Sequence, residues 1–392
     1  MSQQVQNKRI SCLCGKVAQG IDLSLQTPLT LTMCHCDSCR RTSGLLCTSY
    51  FDLSSEEPPN FTGLSKYAET ENIDRWFCGT CGAHAFLQIR APKQEKFLVA
   101  AGLVQGEVQT VGVQTRCAAS THDGGLASIL KGSEKETPLL ACFDGIANRS
   151  IQTAQSGQDS ISNRDQPSIS PATPHSTEKK ANTNRGIESI LPARCHCGGV
   201  KFYVTPPNEN SKSPTSPWSD LLVPFHSASS DNPDDIKWWL VENPDAEDKG
   251  PTKTRYLAGL CACHSSRMAS GFPIQAWAFV PLCNIFKSDG SLLLEYDIAT
   301  LQRYVSSPTV TREFCRICGA TVFWHCDWRP GVVDVSVGLF QSRTGVRAET
   351  WLKWVTERVS FSEEALDQGL VQCLQSDLKA WGERRADETS RV

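Results

Sequence analysis

Cys34-His35-Cys36-Asp37-Ser38-Cys39-Arg40-Arg41-Thr42-Ser43-Gly44 places three thiols within six residues and follows them with two arginines. Three thiolates so close together can hold a tetrahedral zinc whose fourth position stays open, which separates a reactive centre from a closed structural one. The same spacing also suits a closed four-ligand zinc or, less commonly, a disulfide. His35 lies between two of the thiols; on an extended backbone it faces the opposite side from them.

On the N-terminal side, Cys12-Leu13-Cys14-Gly15 opens a segment in which Ile21-Asp22-Leu23 alternates as a half-buried strand does. On the C-terminal side, Arg75-Trp76-Phe77 leads into the knuckle Cys78-Gly79-Thr80-Cys81-Gly82. A C-x-C pair and a distant C-x-x-C pair make one four-thiolate set, Cys12, Cys14, Cys78 and Cys81, which staples a small β-domain by closing a long loop. The trio Cys34, Cys36 and Cys39 is then left without a fourth cysteine from a matching motif. Cys47 is nearest, but it sits in a strand-like run, Leu45 to Tyr50, where a cysteine serves as a small buried hydrophobe. Cys117 and Cys142 have no partner spacing and read the same way. Arg40 and Arg41 are candidate substrate-binding residues, because a guanidinium fork beside thiolates binds carboxylates and offsets their charge. His84 reads as a core histidine and Gly124-Gly125 as a loop before the apolar Leu126 to Leu130.

The whole pattern occurs twice. Cys195-His196-Cys197-Gly198 matches Cys12 to Gly15, Cys261-Ala262-Cys263 matches Cys34 to Cys36, and Cys315-Arg316-Ile317-Cys318-Gly319 matches Cys78 to Gly82. Tyr304 and Arg312 stand where Tyr67 and Arg75 stand. Two copies of this length indicate a duplicated domain and not a solenoid. The distance between the first two pairs grows from 22 residues (12 to 34) to 66 (195 to 261), so the second copy carries an insertion, about 206–253, with Trp238-Trp239 in it as a pocket cap or as core. Ser266 replaces the third thiol, and a neutral hydroxyl is a far poorer zinc ligand. Cys261 and Cys263 therefore form a degenerate site, with His264 and Cys326 as loose candidates for rescue, whereas the structural set Cys195, Cys197, Cys315 and Cys318 is complete.

The expected organisation is a first zinc domain at 1–149, a linker at 150–186, a second zinc domain at 187–361, and a C-terminal helix and tail at 362–392. The linker is rich in polar residues and lacks aromatics, so it cannot bury a core. In the last segment Ser362 reads as an N-cap, and Leu366, Leu370, Leu374 and Leu378 share one face with Cys373 beside them.

A net charge of -3 gives no basic field for nucleic acid or an anionic membrane, and no apolar run is long enough to span a bilayer. Nineteen cysteines, thirteen of them in metal-type spacings, suit a reducing compartment, so a cytoplasmic location is expected.

The order C-x-C-G, C-H-C-x-x-C-R-x-x-x-G, then a tyrosine, an arginine and F-C-x-x-C-G resembles the glutathione-dependent formaldehyde-activating enzyme family, also called the centromere protein V/GFA domain. The tandem arrangement is similar to that of fungal members. The resemblance implies a mainly β architecture, with each domain a zinc-stapled β-tent of antiparallel sheets. It also implies a structural zinc on Cys12, Cys14, Cys78 and Cys81 and a catalytic zinc on Cys34, Cys36 and Cys39. Two zincs are thus expected in the first domain, and one or two in the second. The activity implied is that of a carbon-sulfur lyase acting on a glutathione or similar thiol adduct of a carbonyl compound. The open-site spacing agrees with it, since a zinc with a free position lowers the pKa of a bound thiol. The alternative is a non-catalytic zinc-binding interaction module.

Overall fold

The computed structural model describes residues 4–25, 29–54, 57–91, 94–110, 112–116, 122–130, 189–218, 231–242, 253–293 and 295–389. The expected linker, Cys117, Cys142 and parts of the expected insertion (219–230 and 243–252) lie outside them.

Each half is built on one large sheet, and the strand order is the same in both. In the first half the spatial order is Leu64–Ala68, Ile73–Cys78, His84–Ala91, Gln94–Ala100, Thr48–Asp52, Thr30–Cys34 and Gly112–Arg116. In the second it is Leu301–Ser307, Val310–Cys315, Thr321–Cys326, Val332–Ser336, Gln275–Pro281 and Thr254–Cys261, with Leu352–Trp354 and Leu240–Glu242 both beside the last. All pairings in these two sheets are antiparallel except the joins of Thr30–Cys34 to Gly112–Arg116 and of Thr254–Cys261 to Leu352–Trp354. The expected strand around Ile21 is Ala18–Leu25, paired with Gln4–Ser11, and Leu191–Arg194 with Lys201–Val204 repeats that hairpin.

The elements that place the thiols recur as well. A register shift falls between Trp76 and Phe77, and another between Glu313 and Phe314. Such bulges bend a strand locally, here just ahead of each C-x-x-C knuckle. A seven-residue helix follows the second C-x-C of each half: α1, Asp37–Ser43, and α2, His264–Ser270. Their N-caps are Cys36 and Cys263, whose sulfurs accept from the amides of Cys39 and Ser266. Their C-caps are Gly44 (φ 82°) and Gly271 (φ 90°) in the left-handed region, where glycine carries no steric penalty. Glycine is doubly required there: a β-carbon on Gly44 would strike the Thr321 carbonyl, and one on Gly271 the His84 carbonyl.

These close approaches belong to a pseudo-symmetric junction between the halves. Arg40 of α1 donates to the carbonyls of Gly338 (2.6 Å) and Phe340 (2.8 Å). Arg267, at the same place in α2, donates to Gly102 (2.5 Å) and Val104 (3.3 Å). The amides of Gly338 and Gly102 bond back to the carbonyls of Gly44 and Gly271, each at 2.9 Å. One buried apolar cluster runs through both halves, from Ile10 and Phe86 to Val335 and Leu374.

Beyond the second sheet the chain forms a short 3-10 turn at Ser362–Glu364 and then α3, Gln368–Thr389. Asp367, not Ser362, caps this helix: its Oδ1 accepts from the Leu370 amide at 3.0 Å. Its Oδ2 takes the Thr110 amide at 2.8 Å, tying α3 to the first half. Leu374 and Leu378 are buried as the periodicity requires, but Cys373 is exposed, one position off the stripe.

Candidate metal centres

Strand Thr30–Cys34 delivers Cys34, the turn after it Cys36, and the first turn of α1 Cys39. Their sulfurs lie within 4.8 Å of one another, with Cys34 and Cys36 at 3.6 Å. The group contains these three and no fourth His, Cys, Asp or Glu among the described residues. Three converging sulfurs with no fourth donor among the described residues fit a tetrahedral metal with one position left over.

The surroundings favour thiolate at Cys39. Arg75 lies on strand Ile73–Cys78, only 1% exposed, and its guanidinium donates to Cys39 Sγ at 3.1 Å and to the Tyr50 hydroxyl at 3.0 Å. Its third partner is the carboxylate of Glu69, also buried. Burial opposes ionisation of Cys39, but hydrogen bonds from Cys34 and Cys36 and the charge of Arg75 outweigh it, so the thiol is held well below its ordinary value. His35 points elsewhere and is fully buried; burial pushes its imidazole down to about 4. His84, the expected core histidine, is also buried, with Nε2 at 3.0 Å from the Thr42 carbonyl.

Cys34 and Cys39 sit in an apolar cluster with Tyr50, Leu87, Leu98 and Phe272, and only Cys36 is partly exposed. Phe272 comes from the second half and meets Tyr50 edge to face at 5.4 Å. The second half thus covers the trio.

The other two thiol groups are closed sets. Cys12, Cys14, Cys78 and Cys81 have their sulfurs within 4.8 Å, as do Cys195, Cys197, Cys315 and Cys318. The contacts repeat between halves: 3.4 Å for Cys12 to Cys14 and for Cys195 to Cys197, and 3.5 Å for Cys14 to Cys78 and for Cys197 to Cys315. Four thiols at mutual contact, mostly buried, fit one tetrahedral metal each.

A family model described as glutathione-dependent formaldehyde-activating enzyme matches residues 7–118 and 250–356, more than half of the chain. The chain belongs to that family. No curated protein and no solved structure matches it. The two GFA segments hold the trio and the degenerate site respectively, and between them lie residues 119–249 without a match. No helix among the described residues is long and apolar enough to cross a membrane.

In the second GFA segment Cys261 and Cys263 have no third sulfur. Ser266 stands in the place of Cys39, and its amide donates to Cys263 Sγ at 3.3 Å. The loose candidates do not fill the gap: His264 turns its Nδ1 to Arg267 at 3.1 Å, and neither it nor Cys326 forms a metal-type group with the pair. In the first segment Cys47 is buried core, its thiol raised to about 12 mainly by desolvation.

Arg40 needs a correction. Its guanidinium is 3% exposed and committed to the Gly338 and Phe340 carbonyls and to Asp37, so it is a strut between the halves and cannot receive a substrate carboxylate. A signal for this was present in the sequence: Arg267 keeps the same offset from Cys263 in a copy that has lost the third thiol. Arg41 is half-buried, and its carbonyl accepts from the His196 amide at 3.0 Å. Sequence reasoning gave no role to Arg75, although its recurrence as Arg312 three residues ahead of the knuckle was visible.

Proposed function

We propose that the protein is a zinc-dependent carbon-sulfur lyase of the GFA type, working at Cys34, Cys36 and Cys39 on a glutathione or similar thiol adduct of a carbonyl compound. The observation that carries this reading is the group of three sulfurs without a fourth ligand among the described residues, with Arg75 fixed on one of them. A zinc held there would supply a position at which a substrate thiol loses its proton at neutral pH. In the forming direction the substrate sulfur bonds to the carbonyl carbon and the proton it gives up ends on the carbonyl oxygen; the lyase direction is the reverse.

The chain's own residues do the rest. Arg75, held by Glu69 and Tyr50, orients Cys39 and balances part of the thiolate charge. Phe272 and Tyr50 keep water from the inner face, so that approach is from the side of Cys36. With Arg40 withdrawn, Arg41 remains the candidate for a carboxylate of the thiol substrate. The four-thiolate sets hold structural zincs, two metals falling in the first half and one in the second. A reducing cytoplasmic compartment suits so many free thiols.

The alternative, a non-catalytic zinc module, draws on the burial of Cys34 and Cys39, which are 0% and 1% exposed. Turnover separates the two. The zinc-loaded chain mixed with glutathione and formaldehyde should form S-hydroxymethylglutathione faster than the uncatalysed mixture, by NMR, and Cys39→Ser should return to the uncatalysed rate. No acceleration with this or with other thiol and carbonyl pairs, in a protein carrying metal on the trio, would leave the module reading.

A further inference from the structure

Where the first half has its trio, the second has a cavity of about 610 Å3. Cys261, Cys263 and Ser266 line one wall, and the rest is strongly aromatic: Trp218, Trp277, Phe279, Trp324, Trp328 and Phe361. The sheet register shows what changed. Trp277 lies opposite Ser336 as Tyr50 lies opposite Ala100, and Trp324 lies opposite Arg312 as Leu87 lies opposite Arg75. Two of the aromatics thus replace side chains of the first half's buried cluster, and a space remains where that cluster is closed. A volume of this size, with apolar walls and few polar groups, has the character of a small-molecule site.

The polar groups narrow the ligand. Arg312, 5% exposed, lines the cavity. Its first-half counterpart Arg75 is neutralised by Glu69, but Ser306 stands at the position of Glu69, two residues after the matched tyrosine, and turns its hydroxyl to the Val310 carbonyl. Of the cavity's two carboxylates, Asp334 bonds to Arg329 at 2.5 Å while its charge also acts on Arg312, and Glu364 accepts from the His264 amide at 2.8 Å. Arg312 donates to the Ser265 hydroxyl at 3.0 Å. The Cys263 thiol shares this wall.

We propose that this cavity binds a planar aromatic acid, its ring system against the tryptophans and its acidic group on Arg312 and Ser265. Aromatic stacking supplies most of the contact area, and the guanidinium fixes orientation. The site is separate from the trio and independent of whether the trio turns over.

The test uses the full-length, zinc-loaded chain and 2-naphthoate as probe, read by tryptophan fluorescence. A saturable one-to-one quench is expected. Arg312→Met should weaken it at least about tenfold. Ser307→Trp, at an exposed position on the cavity's edge, should block it while zinc content and melting midpoint stay native; it also serves if Arg312→Met fails to fold. The proposal is overturned if no saturable change occurs, if Ser307→Trp binds like the native chain, or if the neutral 2-naphthalenemethanol binds as tightly as the acid.

Discussion

Cys39 and Ser266 stand at the same point of two matching frames, the third residue of a seven-residue helix capped by a cysteine sulfur and ended by a left-handed glycine. Around Cys39 the space is closed, with Arg75 bonded to the thiol and Phe272 inserted from the other half. Around Ser266 the space is open, walled by tryptophans, and Arg312 reaches a serine hydroxyl instead. The frame is held by the closed four-thiol sets and by the paired arginines Arg40 and Arg267, none of which depends on the third thiol. The chemistry of the helix start can therefore change in one half while the fold and the junction stay the same.

The comparison can be broken hardest at the closed sets. Cys78→Ser removes a ligand from a structural set, and because structural zinc contributes roughly 10 kcal/mol or more to folding at neutral pH, the first half should fail to fold; circular dichroism and zinc content should both fall. Since one core runs through both halves, the second half should lose cooperativity as well, so that thermal unfolding no longer shows a single sharp transition. A second transition with native midpoint would show that the halves are energetically separate.

Next come the struts. Arg40→Ala and Arg267→Ala each leave two carbonyls that had accepted from the guanidinium without that donor, at about 1–3 kcal/mol for each group left unsatisfied. Denaturant titration should show similar losses, about 2–5 kcal/mol, for the two variants. A loss for Arg40→Ala much larger than that for Arg267→Ala would contradict equal roles at the junction. Ser266→Cys sharpens the contrast from the other side: restoring the third sulfur next to Cys261 and Cys263 should add about one zinc per chain at small cost in stability. Unchanged metal content would mean that the aromatic wall, and not the missing thiol alone, bars the ion.

The smallest effect concerns His84, buried at the junction. Desolvation, helped by the charge of Arg75, lowers its imidazole from 6.5 to about 3. A base depressed in the fold contributes stability that is complete above the unfolded value of 6.5 and is lost as the pH falls toward the folded value. Its ring signals should therefore not titrate between pH 8 and pH 5 by NMR. A midpoint near 6.5 would show that the junction opens to water.

Much of this was legible in the sequence because metal ligands are read from spacing. The duplication, the closed sets, the trio and the loss at Ser266 all follow from cysteine positions alone, and the leucine stripe of α3 from its period. What was not legible depends on the packing of one half against the other. Arg40 beside a thiol trio invites a substrate role, and only the second half's carbonyls at Gly338 and Phe340 reassign it. Trp277, Trp324 and Trp218 are far apart in sequence, so their convergence on one cavity depends on sheet order. Ser362 has the chemistry of an N-cap, but the chain takes a 3-10 turn first and Asp367, which also reaches Thr110, takes that place.

The most direct measurement of the central claim is metal content per chain, by elemental analysis of protein purified without chelator, for the native chain and for Cys39→Ser. An open three-thiolate centre beside two closed sets predicts about three zincs in the native chain and about two in the variant, with the fold intact in both. About two zincs in each would contradict the claim, leaving the Cys34, Cys36 and Cys39 group without a metal.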